Sequence, residues 1–178
     1  LLSDSLVFPL EVLPINDNPV LAAIDSQSIN EDSFLRLLLS ANDVDGDLLT
    51  YNADAGKNAT VKIEENKLSI TPENNFNGNI DVSVYVDDGT SKDELKFVLK
   101  VIPINDAPVL TSIIPESKKE KKIGLQMLAS DIDGDKLIYS ADTKSNADIT
   151  INDNLLTVVP NKDYKGTVPL TLKTFDGS

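Results

Sequence analysis

The chain has 178 residues, a formal net charge of −13, and neither cysteine nor histidine. Without thiols there is no disulfide or thiolate metal site, and without imidazoles no Ser-His or Cys-His nucleophile pair. A pI near 4.3 argues against nucleic acid and anionic membranes as partners and favours cations.

Apolar residues make up 40% and charged residues 25%, which is the balance of a folded chain. No apolar run reaches the roughly 18 residues of a membrane-spanning helix, so no membrane insertion is expected in this segment. Taken in order, the chain first offers Leu2–Leu13, which resembles Ser91–Ile102 at a displacement of 91 − 2 = 89. In the later copy Leu95, Phe97, Leu99 and Val101 alternate with Lys96 and Lys100, the pattern of a half-buried strand. Residues 1–13 are therefore expected to be the last strand of a preceding repeat.

Next comes Val12-Leu-Pro-Ile-Asn-Asp-Asn-Pro-Val-Leu21, nearly repeated as Val101-Ile-Pro-Ile-Asn-Asp-Ala-Pro-Val-Leu110. A fixed period marks an array of similar units. The expected division is 1–13, then a first repeat over 14–103 and a second over 104–178. Ser28–Ser33 reads as a polar turn leading into a strand over Phe34–Leu39, with Leu35, Leu37 and Leu39 on one face. The Asp-rich loop Ala41–Asp47 precedes a strand at Leu48–Tyr51. Thr60–Ile63 and Lys67–Ile70 flank Glu64-Glu-Asn66 as a hairpin. Asn74–Gly78 is a loop, Ile80–Val86 an alternating strand, and Asp87-Asp-Gly89 a turn into the last strand.

The second unit repeats the order with Ile123–Leu128, Leu137–Tyr139, Ile149–Ile151, Leu155–Val159 and Val168–Phe175. Pro72, Phe76 and Gly78 match Pro160, Tyr164 and Gly166, each displaced by 160 − 72 = 88. About seven short strands per unit, with no helical periodicity, indicate an all-β fold: two tandem Ig-like Greek-key sandwiches. The second repeat is expected to lack its last strand. The leading strand of one molecule is then expected to complete the second domain of another by strand exchange.

The chemistry is concentrated at the joints. Calcium takes about six to eight oxygen ligands in flexible geometry. Asp43, Asp45 and Asp47 can wrap one such ion if Gly46 bends the loop, and Asp131, Asp133 and Asp135 can do so around Gly134. Asn105-Asp106 add a carbonyl and a carboxylate at the joint between the units, and Pro103 and Pro108 stiffen its flanks. The competing reading is a pair of solvated acidic turns, since Asp-Gly and Asn-Asp are ordinary turn formers.

These motifs resemble cadherin repeats. The residues that carry the likeness are Ala41-Asn-Asp-Val-Asp45 with Leu49-Thr-Tyr51, and Asn105-Asp-Ala-Pro108 after the last strand. Ile29-Asn-Glu-Asp-Ser33, Leu68–Pro72, Asn75–Gly78 and Asp88-Gly89 make it most similar to the bacterial cadherin-like tandem repeats of large surface adhesins and matrix proteins. The resemblance implies an elongated rod of sandwiches clamped by Ca2+. It also implies a ligand set at the central joint of Glu31, Asn105, Asp106, Asp131 and Asp133. The preceding joint keeps Asn16, Asp17, Asp43 and Asp45. There are two departures. The cadherin Asp-Arg-Glu motif is not visible, Glu73 being a poor match, and Glu31 corresponds to Lys119 in the second unit. Lys119 belongs to the lysine-rich run Ser117–Lys122, expected to be a solvated loop.

The function expected is an extender in a secreted or surface-anchored bacterial adhesin, supporting cell adhesion or a biofilm matrix. The location implied is extracellular or at the cell surface, and the partners are neighbouring repeats of the same polypeptide. The second expectation is a binding module, whose exposed sandwich face recognises polysaccharide, a cell-surface ligand or another copy of the repeat. Only Tyr85 stands out as an outward aromatic for such a face. An enzyme is not expected, because the paired carboxylates sit on one loop and recur at every joint, which ligation explains and glycoside hydrolysis does not.

Overall fold

Alternation of apolar and polar residues at period two puts one side of each strand inward and the other in water. In the computed structural model, which describes residues 3–119, 122–144 and 146–177, the chain divides into Leu1–Pro103 and Ile104–Ser178. The first unit contains β1 (Val20–Leu21), β2 (Gln27–Asn30), β3 (Leu35–Leu38), β4 (Ala41–Asn42), β5 (Thr50–Asp54), β6 (Ala59–Glu64), β7 (Lys67–Pro72), β8 (Gly78–Asp87) and β9 (Lys92–Ile102). One sheet runs β2-β9-β8-β5, the other β3-β7-β6, and β1 pairs β4 separately. A single 3-10 turn at Gly56–Asn58 is the helical structure among the described residues.

Between the two sheets lie Leu35, Leu39, Leu68 and Ile70 from one side. Ile80, Val82, Val84 and Val86, with Phe97, Leu99 and Val101, come from the other. Each such side chain contributes about 1.5–3 kcal/mol when fully buried. Tyr51 packs at the rim of this core. The alternating strand expected over Ile80–Val86 is found within β8, and the hairpin around Glu64–Asn66 joins β6 to β7.

Two local expectations differ from the structure. Ser28–Asn30 does not form a turn: it lies in β2, which pairs in parallel with β9 through Gln27↔Leu99 to Asn30↔Ile102. The turn is confined to Glu31-Asp32, where Asp32 takes a φ of 56°. The strand expected from Leu48 starts at Thr50, and Leu48 is 85% exposed, because the preceding residues are held by the Asp loop. Residues 3–13 have no ladder partner among the described residues.

The second unit contains β10 (Val109–Lys119), β11 (Lys122–Ser130), β12 (Ile138–Thr143), β13 (Ala147–Asn152), β14 (Leu155–Pro160) and β15 (Leu170–Phe175). Its sheets are β10-β11-β14-β13 and β12-β15. Met127, Leu156 and Val158 are its buried centre, with Tyr139 and Leu172 packed around them. The first strands of the two units behave differently. In the first unit the chain leaves β4 after Leu21 and crosses to β9. In the second, β10 stays on β11 as far as Lys119↔Lys122. Of the lysine-rich run read as a loop, Ser117–Lys119 end β10 and Lys122 opens β11, while Glu120 and Lys121 lie outside the described residues.

Candidate functional site: the aspartate loops and the Asn-Asp segments

Each loop closes on its first aspartate. Oδ1 of Asp43 accepts hydrogen bonds from the backbone N–H of Asp45 (3.0 Å), Gly46 (2.9 Å) and Asp47 (3.2 Å). That fan requires the chain to curl around one carboxylate oxygen, and Gly46 supplies a φ of 79° at the bend. In the second unit Asp131 Oδ1 accepts from Asp133 N–H (3.0 Å) and Asp135 N–H (3.3 Å), with Gly134 at φ 81°.

Curling brings the carboxylates together. One oxygen each of Asp43, Asp45 and Asp47 lie within 4.8 Å of one another, and so do those of Asp131, Asp133 and Asp135. The second oxygens of Asp43 and Asp131 are buried and have no hydrogen-bond donor. A buried carboxylate oxygen without a donor is costly. A hard cation compensates that cost as well as a donor would, and an all-oxygen donor set without nitrogen or sulfur fits calcium rather than zinc or copper.

The Asn-Asp segments dock on the same loops. Asp17 N–H donates to Asp45 Oδ2 at 2.7 Å, and Asp106 N–H donates to Asp133 Oδ2 at 2.8 Å. The side-chain amide of Asn16 donates to Asp88 Oδ2 (3.1 Å), and that of Asn105 donates to Asp176 Oδ2 (3.0 Å). Asp88 and Asp176 were absent from the expected site. Their signal was available, since both precede a glycine and are displaced by 176 − 88 = 88. Asp88 also accepts from the N–H groups of Thr90 and Ser91 and from the Ser91 hydroxyl. The Ser91 backbone bond, then the Asn16 amide, hold its carboxyl well below the usual carboxylate range.

Glu31 belongs to the first unit, and Asn105, Asp106, Asp131 and Asp133 to the second. Glu31 is 5% exposed, the one buried charged side chain among the described residues. Its backbone N–H donates to the Ile102 carbonyl at 2.9 Å.

Comparison with known proteins gives the fold context. The family model of a bacterial Ig domain matches residues 16–97 and again 105–178. No curated protein matches the chain. Among solved structures, the EC1-2 segment of human protocadherin-24 superposes with a TM-score of 0.55 at 16% identity, covering 89% of this chain and 87% of that one. The human desmocollin-1 ectodomain gives 0.43 at 16% identity, over 93% of this chain and 35% of that one. An endo-fucoidan hydrolase of glycoside hydrolase family 107 gives 0.42 at 19% identity, over 90% of this chain. The chain spans 27% of that hydrolase. Domains of the Ig-like and cadherin-like kinds are typically non-enzymatic and extracellular or surface exposed. No helix among the described residues is long and apolar enough to cross a membrane. The two matched stretches take in most of the sequence, and the chain belongs to the bacterial Ig domain family as two tandem, cadherin-like repeats.

Proposed function

We propose that this is an extender segment of a secreted or surface-anchored bacterial adhesin, in which calcium bound at the aspartate loops stiffens the joints between repeats. The observation that carries the reading is the same arrangement built twice. Each unit has three converged carboxylates and a buried, donorless aspartate oxygen, and an Asn-Asp segment is bonded to each loop. An acidic turn that served only to reverse the chain would have no reason to gather three like charges. At the first loop the ligands are Asp43, Asp45 and Asp47, with Asn16 and Asp17. At the second they are Asp131, Asp133 and Asp135, with Asn105 and Asp106.

Sites of this kind in extracellular modules fill at around 10⁻⁴–10⁻³ M calcium, so they load outside cells. Binding to the folded state alone stabilises by RT ln(1 + [L]/Kd), which at 2 mM calcium is about 0.6–1.8 kcal/mol over that range. Thermal melting in chelator and in 2 mM calcium tests the proposal, using wild type beside the Asp131→Asn, Asp133→Asn double variant. The second unit's midpoint is expected to rise by several degrees in the wild type and by less in the variant. A midpoint indifferent to calcium in both proteins returns the loops to the status of solvated turns.

A further inference from the structure

We propose that the outer face of the β3-β7-β6 sheet in the first unit is a binding site for a carboxylate-bearing polysaccharide, a polyuronate. With Leu68 and Ile70 turned into the core, the alternate residues of the three strands share the opposite face. Register fixes their rows: Arg36 pairs with Ser69, and Ser69 with Lys62. The next row is Leu38, Lys67 and Glu64, and Thr71 pairs with Thr60. Together with Phe34 these residues border an open depression of about 710 Å³.

The charge of this face opposes that of the chain. It gathers Arg36, Lys62 and Lys67 against the single acid Glu64, in a protein with a net charge of −13. Arg36 is the only arginine in the sequence, and its guanidinium lies 4.6 Å from the centre of the Phe34 ring. This cation–π contact helps to hold the guanidinium in place, and its N–H fork can grip a carboxylate with two parallel bonds. Lys62 bridges Glu64, and Lys67 and Arg36 also bear on that carboxylate. Arg36 and Lys62 flank Ser69 in one row, and Lys67 lies in the next row beside Glu64.

The second unit serves as an internal control. Its equivalent rows, in identical register, are Gly124, Thr157 and Thr150, then Gln126, Leu155 and Asn152. The corresponding three strands pair there, with β10 added at the edge, without a basic side chain in either row, so the cations are not a requirement of the fold. Three strands at about 4.8 Å spacing give a platform roughly 10 Å wide, broad and open rather than a slot for a side chain. Thr60, Ser69 and Thr71 offer hydroxyls that both donate and accept, as sugar hydroxyls do. An acidic peptide would share the cations, so poly-glutamate is the comparison that separates the two polyanions. The chain's overall negative charge repels a polyanion only at long range, and at about 0.15 M salt that repulsion is screened beyond roughly 8 Å.

The test is titration of the whole chain with polygalacturonate by calorimetry at physiological salt. Chelator is present throughout, so that calcium cannot bridge the two polyanions. Neutral dextran and poly-glutamate are the comparison probes, and Arg36→Gln with Lys62→Thr is the variant. Polygalacturonate is expected to bind, dextran not at all and poly-glutamate more weakly. The double variant should lose about tenfold in affinity while keeping its melting midpoint and its calcium-induced shift. No polygalacturonate binding, equal binding by the variant, or poly-glutamate binding as tightly as polygalacturonate would each overturn the proposal. Because the readout is taken without calcium, its failure leaves the joint reading standing, and the reverse also holds.

Discussion

Replacing Asp47 by asparagine should change the sign of its effect with calcium. Among the described residues the backbone fan closes on Asp43 Oδ1 and not on the Asp47 carboxylate, so the substitution leaves the fan intact and removes charge alone. Asp47 faces two other carboxylates within 4.8 Å. At that separation in water each pair repels by about 0.9 kcal/mol, reduced to about 0.5 at 0.15 M salt. Relief of both pairs stabilises the first unit by at most about 1 kcal/mol, since the unfolded chain also keeps these charges close. In chelator the first unit's midpoint should therefore rise, by up to about 4–8 °C for a domain of this size. In millimolar calcium the variant has lost a ligand, and the metal-induced rise should shrink until the order of the two proteins narrows or reverses. The assay is a calorimetric scan of each protein with chelator and with calcium. Unchanged midpoints in chelator, with equal calcium increments in both proteins, would refute the reasoning, because three crowded carboxylates would then neither repel nor ligate.

Two further outcomes concern groups outside the loops. The carboxyl of Asp88 is held down by the Ser91 N–H and the Asn16 amide, from an ordinary value of 3.8. A depressed folded pKa contributes stability that is present above the unfolded value and lost as pH falls below it. Acid titration of the first unit's midpoint should accordingly fall more steeply below about pH 4 in wild type than in Asp88→Asn, and parallel curves would count against the assignment. Leu68→Ala empties a fully buried core position and should destabilise the first unit by about 2–5 kcal/mol in urea unfolding, leaving the calcium increment of the second unit unaltered.

The alternating strands were legible in the sequence because their signal is local. Ile80, Val82, Val84 and Val86 name their face by spacing alone, and each is buried. What escaped was pairing between distant segments. Nothing in Gln27–Asn30 announces a parallel ladder to Leu99–Ile102, since its polar residues are those of a turn and its partner lies some 70 residues away. Leu48 misled in the opposite way, as an apolar residue that the neighbouring loop holds in solvent. The aspartate triads could be read from spacing, whereas the roles of Asp88 and Asp176 depend on a contact across about 71 or 72 residues. Phe34 opens the leucine-rich strand read from spacing, and its contact with the Arg36 guanidinium appears only in the folded chain.

The hydrogen bonds of the Asn-Asp segments refine what calcium would control. Asp17 and Asp106 are tied by their backbone N–H groups to the loop that follows them, and Asn16 and Asn105 to the Asp-Gly turn of the same unit. Every one of these bonds is made by protein groups alone. Charge-assisted bonds of this kind are stronger than neutral ones, so removing metal is not expected to release the segment from its own domain. The repulsion left behind falls among the carboxylates of the loop, and bound calcium would relieve it there. On the proposed reading calcium would tighten the loops, while the folding of each repeat depends mainly on its core. Hydrogen exchange distinguishes the two effects: with chelator, the amides of Asp17 and Asp106 should stay protected along with their loops. Exchange at those amides as fast as in an open chain would mean that metal, rather than the aspartate side chains, seats the segment.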